Sequence, residues 1–364
     1  MNCDDRLPTL LQNRRHSAVR NLDEKKRVTI SARRPSWRFF SRSLAFSLTA
    51  LLFPFGAGVS AQPIKLGYAA LVAGQVAPWI AKEAGYLSKY GIEAELIYIP
   101  ATTATQALVA GEIQLAQVTG VSTAGAILSG AEVRIIASVQ NKLAGSIYAR
   151  PEIKSAEQLK GKRLGISRFG ALSDTAAGIF LQRHGLKRGT DVAIVQLGGL
   201  PEIIPALERD AIQAGFANPP QTIQARRLGM KELFDLNSLG VELQQTCLTV
   251  TTKYLRERRP VVKSFVQAYA EGMHRFMTDR DFSIQVMKKY LRVNEKELLD
   301  EAYAFYSERL EKLPYPTLKG IKFILDEMGE KHPQARKASP ESFVDLSVLQ
   351  EIEQSGFFKQ LWKN

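Results

Sequence analysis

Cysteine and histidine are scarce in this 364-residue sequence, which holds 2 cysteines and 4 histidines. Three histidines lie beyond the N-terminal region, at His184, His274 and His332, and their wide separation is unlike the ligand spacing of zinc sites. Cys3 belongs to an N-terminal segment that we expect to be removed, which leaves Cys247 without a disulfide partner. The strand-like stretch "TCLTVTT" around Cys247 favours a buried, inert thiol.

Motifs of the common enzyme classes are also missing. The sequence has no Gly-x-Ser-x-Gly elbow and no Walker loop. The stretch "GISRFG" lacks the Gly-x-Gly-x-x-Gly spacing of a dinucleotide-binding turn. A serine nucleophile at Ser167 or Ser173 would have no base nearby, since His184 follows 11 residues after Ser173 on the same predicted helix. The sequence therefore predicts no catalytic residue, no metal and no cofactor.

The positive charge is concentrated at the N-terminus. Residues 1–61 hold 11 Lys/Arg against 4 Asp/Glu, whereas the rest of the chain holds 38 against 32. The charge beyond residue 61 is mild for so long a chain and lacks the basic patch of a nucleic-acid-binding domain. We therefore expect no nucleic-acid partner.

The N-terminal segment, residues 1–61, is typical of a cleavable export signal with a basic extension. The basic stretch "RRPSWRFFSR" precedes a 12-residue apolar run, Leu44 to Phe55, which is too short to span a bilayer. Small residues at Val59 and Ala61 predict cleavage after Ala61 and a periplasmic location. An uncleaved anchor is the alternative. Export through the twin-arginine route is less compatible with the residues after Arg34, and translation starting further downstream also stays open.

From Pro63 to about residue 236, strand-like and helix-like segments alternate, which predicts an α/β fold with parallel strands covered by helices. The predicted strands are 64–68, 92–99, 113–118, 134–139, 163–167, 192–197 and 211–217, and "CLTVTT" at 247–252 adds another. Beyond that strand three apolar stripes at helical spacing predict core-facing helices near 262–276, 298–310 and 318–328.

An internal echo indicates two lobes built on one plan. "QALVAGEIQLAQVTG" from Gln106 and "PALERDAIQAGFANP" from Pro205 both contain Ala-Leu, a turn, Ile-Gln, a small apolar strand and a polar tip. We assign 62–143 plus 249–364 to lobe 1 and 144–248 to lobe 2. The crossovers near Ser138–Tyr148 and Leu243–Thr252 are the expected hinges.

Polar turns follow the predicted strands, and the carboxyl edge of a parallel sheet is where such folds bind ligands. Helix starts at that edge offer free N–H groups and partial positive charge. The candidate ligand-binding residues are Gln75, Trp79, Thr102, Thr103, Gln117, Thr119, Asn141, Ser167, Arg168, Phe169, Ser173, Asp174, Gly199 and Asn218.

Each candidate has a plainer structural interpretation. Thr103 and Ser173 suit helix N-caps, Trp79 suits the helix–sheet core, and Gly199 suits a turn. The loop Ser167–Asp174 is expected to be the main ligand loop of lobe 2, with Arg168 as the anchor for an anionic group. Asp174 would repel an anion unless it turns aside or accepts a donor from the ligand.

Several stretches resemble periplasmic substrate-binding proteins of ABC importers, in the nitrate/sulfonate/taurine-type family, whose fold is similar to that of thiamine-pyrimidine synthases. They are "IKLGY", "APWIAKEAGYLSKYGIEAEL", "ALVAGEIQLAQVTG", "EIKSAEQLKGKRLGISRFG", "AIQAGFANPP" and "LEKLPYPTLKGIKFILDE". The most specific are "AKEAGYLSKYGIEAEL" and "LKGKRLGIS". Together they span most of the chain beyond residue 61.

The resemblance implies a two-lobed periplasmic binding protein of type II, with two crossover strands and added C-terminal helices. It implies a monomer that captures a small ligand between its lobes and delivers it to a membrane permease with its ATPase. Inorganic anions, sulfonates, pyrimidines and aromatic acids all occur as ligands in the family, and the residues favour a small organic anion. A thiamine-pyrimidine synthase-like enzyme and a ligand-sensing module are the alternatives; the enzyme's Cys-rich iron motif is absent.

Overall fold

The computed structural model describes residues 63–329 and 332–363. Cys3, the expected export signal at residues 1–61, the cleavage after Ala61 and the new N-terminus at Gln62 lie outside the described residues. No helix in the described part combines the length and the apolar character needed to cross a membrane.

Ten strands form two five-stranded sheets in the described residues. The strands of the first sheet are β1 (Ile64–Tyr68), β2 (Ala94–Tyr98), β3 (Leu115–Val118), β4 (Val133–Lys142) and β10 (Glu242–Thr251). The strands of the second sheet are β5 (Ser146–Ala149), β6 (Lys162–Ile166), β7 (Val192–Gln196), β8 (Ala214–Ala217) and β9 (Lys231–Asp235).

Helices cover both sheets and form most of the chain after β10. They are α1 (Val76–Glu83), α2 (Tyr86–Lys89), α3 (Ala101–Ala110), α4 (Gly120–Leu128), α5 (Leu172–Arg183), α6 (Ile203–Glu208), α7 (Gln221–Arg227), α8 (Thr252–Glu257), α9 (Arg259–Thr278), α10 (Arg280–Leu291), α11 (Lys296–Ser307), α12 (Leu318–Met328), α13 (Ser347–Gln354) and α14 (Phe357–Leu361). The stripes expected near 262–276, 298–310 and 318–328 fall on α9, α11 and α12.

The two sheets share one plan, and each contains an antiparallel strand. Their strand orders are β2-β1-β3-β10-β4 and β7-β6-β8-β5-β9. In each sheet the first three strands are parallel, and the fourth, β10 or β5, runs antiparallel to both neighbours. The expectation of parallel sheets is thus corrected to mixed sheets. The reason is that β5 and β10, the strands that follow the two crossings between the lobes, run opposite to the other strands of their sheets. The internal echo maps onto the equivalent central strands β3 and β8.

The chain crosses between the sheets twice. The first crossing joins β4 to β5 through residues 143–145, and the second joins β9 to β10. Strand β10 pairs with the first sheet from Glu242 onwards, so residues 242–248 lie in the first sheet although the sequence assigns them to lobe 2. Exact lobe bounds and hinge residues stay predictions.

The C-terminal helices enlarge the core of the first lobe. Helix α9 packs its buried face against α1, where Gly272 allows backbone contact: a Cβ on Gly272 would lie 2.3 Å from the Ala77 carbonyl oxygen. Helices α10, α11 and α13 add further buried apolar side chains to the same core. These helices bury most of their apolar residues within the lobe, as the stripes predict.

Candidate functional site

A small cavity lies between the two lobes, beside the carboxyl ends of six parallel strands. The free volume of the cavity is about 50 Å³, which is roughly three to five times the minimum that one water molecule needs. Its lining residues are Ala69, Ala70, Val72, Gln75, Pro100, Ala101, Thr119, Gln140, Ser167, Arg168, Ala171, Leu172, Ser173, Gly199, Leu200, Phe216, Asn218, Gln245, Thr246 and Tyr306. The free space suits a small ligand.

Three helices begin at this cavity. Pro100 and Ala101 start α3, Thr119 caps α4, and Ala171 precedes α5. The Thr119 hydroxyl accepts a hydrogen bond from Ser122 N, which fixes the start of α4. Free N–H groups and the dipoles of the three helices give the cavity a positive electrostatic potential. Such a site favours an anionic group.

Arg168 is the one charged residue among those that line the cavity in the described part of the chain. Its Nε donates to the carbonyl oxygen of Gly198 at 3.2 Å, and the side chain is half-buried. The loop turns at Gly170, whose φ of 73° lies in the left-handed region that glycine adopts without strain. The guanidinium therefore lies at the cavity with donors available for an oxyanion.

The side chain of Ser173 closes the loop, but not as the N-cap that the sequence suggests. The N-cap of α5 is Ala171, and Ser173 lies within the first turn of the helix. Its Oγ accepts from Ser167 N at 2.9 Å and lies 2.7 Å from Ser167 Oγ. The bond ties β6 to α5, and it holds the two hydroxyls together at the cavity.

On the lobe 1 side, Gln75 is held in one orientation. Its Oε1 accepts from Ala69 N at 3.1 Å and from Gln117 Nε2 at 3.0 Å. The acceptor end of the Gln75 amide is therefore occupied, so its Nε2 is the end left to donate. Gln117 is fully buried and supports Gln75 without lining the cavity.

The structure brings seven of the candidate residues together at the cavity. They are Gln75, Thr119, Ser167, Arg168, Ser173, Gly199 and Asn218. The other candidates lie elsewhere: Trp79, Thr102, Thr103, Gln117, Asn141, Phe169 and Asp174 are absent from the lining.

The side chains of Trp79 and Asn141 contact other residues of the protein away from the cavity. Trp79 is fully buried and stacks on Tyr290, with ring centroids 5.0 Å apart. Asn141 donates from Nδ2 to the carbonyl oxygen of Tyr315 at 2.7 Å. Trp79 thus follows its plainer interpretation as a core tryptophan, and Asn141 ties β4 to the segment that contains Tyr315.

Phe169 and Asp174 face a second groove, between α5 and α12. Asp174 is buried, accepts from Gly170 N at 2.9 Å and forms an ion pair with Arg188. Phe169 is 53% exposed, and the Arg188 guanidinium lies 5.5 Å from its ring centroid. Asp174 thus turns aside, and its negative charge is paired outside the cavity.

Thr102 and Thr103 lie on α3, half-buried, past the residues that touch the cavity. A Cβ on Gly170 would lie 3.8 Å from Thr102 Cγ2, so Thr102 lies where the two lobes approach each other. Thr103 is inside the helix rather than at its N-cap, Pro100.

Four polar lining residues escape the sequence reasoning: Gln140, Gln245, Thr246 and Tyr306. Gln140 lies on β4, Gln245 and Thr246 lie on β10, and Tyr306 lies on α11. The only signal in the sequence is the presence of glutamines within otherwise apolar strands, such as "SVQNK" and "ELQQTCL". Tyr306 belongs to an apolar helical stripe, and that pattern is typical of the core.

The described residues include no group of three or more His, Cys, Asp or Glu side chains that could hold a metal ion. Cys247 is completely buried on β10. Burial raises the pKa of its thiol to about 12, against the opposing effect of hydrogen bonds from Thr249 and Thr123. A thiol in that state is a poor nucleophile at neutral pH.

A protein-family model described as "NMT1/THI5 like" matches residues 75–281. A curated protein of Brucella abortus, provisionally named a binding protein, is 25% identical over 276 residues, which cover 74% of this chain and 85% of that protein.

Two solved structures share the fold. The periplasmic aliphatic sulphonate-binding protein SsuA of Escherichia coli has a TM-score of 0.61 at 18% identity, covering 79% of this chain and 92% of SsuA. The periplasmic nitrate-binding protein NrtA of Synechocystis has a TM-score of 0.66 at 15% identity, covering 81% of this chain and 89% of NrtA. The fold is that of the two-lobed periplasmic binding proteins.

Proposed function

The chain belongs to the NMT1/THI5-like family, and from that premise we propose that it is the solute-binding component of an ABC importer. In this proposal the two lobes close on a small organic anion in the cavity. The closed protein then docks on a membrane permease, whose ATPase drives import. Closure is a shift between open and closed populations, driven by ligand contacts to both lobes at once.

The observation that carries the proposal is the electrostatics of the cavity. Three helix N-termini and the Arg168 guanidinium meet there, and the described residues of its lining contribute no carboxylate. Asp174, the acidic residue nearest in sequence to Arg168, is paired with Arg188 away from the cavity. An anion is the ligand that this arrangement stabilises best.

The proposal includes export and a monomeric state. The basic, apolar and small-residue regions of residues 1–61 support export to the periplasm, with a mature chain beginning at Gln62. The names of the sulphonate- and nitrate-binding structures place those proteins in the same compartment. A freely diffusing monomer that visits its permease suits this role.

Calorimetry with nitrate, ethanesulfonate, acetate and succinate tests the proposal. At least one of these anions is expected to bind, and at one hundred times its Kd to stabilise the protein by about 2.7 kcal/mol. Arg168→Ala is expected to weaken binding by about 1.5–3 kcal/mol, the contribution of a charged hydrogen bond. The control is Arg183→Ala, an exposed residue at the far end of α5.

Equal affinity in wild type, Arg168→Ala and Arg183→Ala would contradict the assigned role of Arg168. No binding of any of the four anions to the wild type would contradict the anion-binding function itself.

A further inference from the structure

Gln140 places at the cavity an uncharged amide that has no hydrogen-bond partner among the described residues. It lies on β4 with an exposure of 1%, and both its Oε1 and its Nε2 are buried without a hydrogen bond. The large majority of buried polar side-chain atoms in proteins are paired. Both ends of the Gln140 amide are therefore available to a bound molecule.

Tyr306 adds a second unpartnered group beside Gln140. Its hydroxyl is buried without a hydrogen bond, and the residue lines the same cavity. A Cβ on Gly74 would lie 2.8 Å from Tyr306 Cε1 and 3.1 Å from Gln140 Oε1, so both side chains contact one glycine. Burial raises the pKa of Tyr306, and its neutral hydroxyl can donate and accept.

These groups form an uncharged polar part of the cavity lining on lobe 1, whereas Arg168 belongs to lobe 2. Gln140 Oε1 needs a donor and Gln140 Nε2 needs an acceptor. Asn218, from the second lobe, has a further buried acceptor oxygen without a partner. Nitrate and unsubstituted alkanesulfonates carry acceptors only, so they would leave Gln140 Oε1 unpaired.

We propose that the ligand carries, besides its anionic group, an uncharged donor–acceptor group of the carboxamide or ureido type. This group pairs with the Gln140 side-chain amide, with Tyr306 as a second contact, while the anionic group faces Arg168. The inference rests on the proposed function and adds a ligand class to it. Gln140 is then a specificity-determining residue, because a site that pairs with N–H groups rejects analogues that lack them.

Two isosteric probes test the ligand class. Succinamate has a primary amide and a carboxylate, whereas levulinate replaces the amide NH2 by a methyl group and keeps the carbonyl. Calorimetry on the wild type is expected to show succinamate binding roughly 10- to 100-fold more tightly than levulinate, because levulinate leaves the Gln140 acceptor unpaired. Ethanesulfonate is the acceptor-only reference, and it is expected to bind more weakly than succinamate.

A substitution separates a ligand-facing role from a structural one. Gln140→Met keeps the side-chain length and removes the unpaired amide, so the unfolding midpoint of the free protein is expected to stay level or rise. The preference for succinamate over levulinate is expected to disappear. The matched control is Gln245→Met: Gln245 Oε1 accepts from Ala144 N at 2.6 Å, so its loss is expected to lower the midpoint.

The outcomes distinguish this inference from the proposed function. Equal binding of succinamate and levulinate, or tighter binding of ethanesulfonate, overturns the inference and leaves anion binding intact. A midpoint lowered in Gln140→Met as much as in Gln245→Met also overturns it, since Gln140 would then be structural. If none of the probes binds the wild type, the proposed function fails and the inference falls with it.

Discussion

Gly145 and Gly178 differ in the space around them and in backbone conformation. Gly145 lies in the first crossing with a φ of 124°, and a Cβ there would lie 2.5 Å from Asn218 Oδ1 and 2.6 Å from the ring of Phe216. Gly178 lies inside α5, and a Cβ there would have no neighbour within 4 Å. Only the first position requires glycine.

Replacing each glycine by alanine is therefore expected to act in opposite directions. Gly145→Ala should lower the free energy of unfolding by about 1–3 kcal/mol, because of positive-φ strain and contact with Asn218 and Phe216. Gly178→Ala should raise it by about 0.5–1 kcal/mol, since glycine is a poor helix former. Urea unfolding of both variants measures these changes in the free energy of unfolding. Destabilisation by Gly178→Ala would contradict the prediction and show that the space beside Gly178 must stay empty.

His274 makes stability depend on pH. Its ring packs edge-on against Trp362, with centroids 4.7 Å apart. Burial lowers the pKa of His274 from the ordinary value of 6.5, against the opposing effect of Glu271. On acidification the unfolded chain therefore takes up a proton at this residue before the folded one does. The stabilisation is complete above pH 6.5 and decreases as the pH falls from there towards the folded-state pKa.

The variant His274→Phe keeps an aromatic ring against Trp362 and removes the titration. Its unfolding midpoint is expected to fall less than that of the wild type between pH 7.5 and about 5. Thermal unfolding across this range measures the difference. Parallel curves for the two proteins would assign the acid sensitivity to other groups.

Ion pairs between side chains of α7 and α11 connect the two lobes. Arg226 on α7 pairs with Glu301, and Arg227 pairs with Glu295 and Glu297 at the start of α11. All five side chains are substantially exposed, so solvent weakens each pair and its contribution is expected to be small. Because these ion pairs join opposite lobes, they stabilise the closed arrangement of the two lobes.

The double variant Arg226→Ala/Arg227→Ala is expected to weaken ligand binding several-fold, because it removes contacts made on closure. The wild-type affinity should approach that of the variant as salt screens the pairs. Calorimetry at low and high salt, with the tightest-binding of the probes above, measures both effects. Arg280→Ala is the control, because its partner Asp300 lies in the same lobe. An effect of Arg280→Ala as large as that of the double variant would contradict the closure role.

The elements were largely predictable, and the exceptions have physical causes. Strand β1 matches its expected bounds, and the apolar stripes fall on helices α9, α11 and α12. Strand β9, "KELFD", escapes prediction because its charged residues at a sheet edge show little apolar alternation. Helix α10 is not predicted either, although its buried residues Val286, Met287 and Leu291 lie at helical spacing.

For the whole molecule, ligand-dependent closure is the property to measure. The lobes already approach closely: a Cβ on Gly199 of lobe 2 would lie 2.9 Å from Tyr98 Oη of lobe 1. We expect the free protein in solution to be more open than this, with the two crossings as hinges. Small-angle scattering should then show a smaller radius of gyration with saturating succinamate than without ligand. An unchanged radius with bound ligand would contradict hinge closure on ligand binding.

The local features of the sequence determined most of the elements, and half of the candidate residues lie at the cavity. Alternation of strand and helix patterns led to the two-lobed α/β fold, because each period reflects which face of an element is buried. The rule that ligands bind beyond the carboxyl ends of parallel strands led to Gln75, Thr119 and Arg168 as ligand-binding candidates. All three line the cavity, and their contacts with a ligand stay predictions. These features can be inferred from the sequence because they depend on residues that are neighbours along the chain.

Only the tertiary structure decided which polar groups meet. Gln140 and Tyr306 are separated by 166 positions, yet they contact one glycine. Asp174 follows Arg168 by six positions, yet it pairs with Arg188 away from the cavity. The direction of the chain through the two crossings, and with it the mixed sheets, was also decided there. Long-range packing sets these choices, because the pairing of a buried polar group depends on side chains remote in sequence.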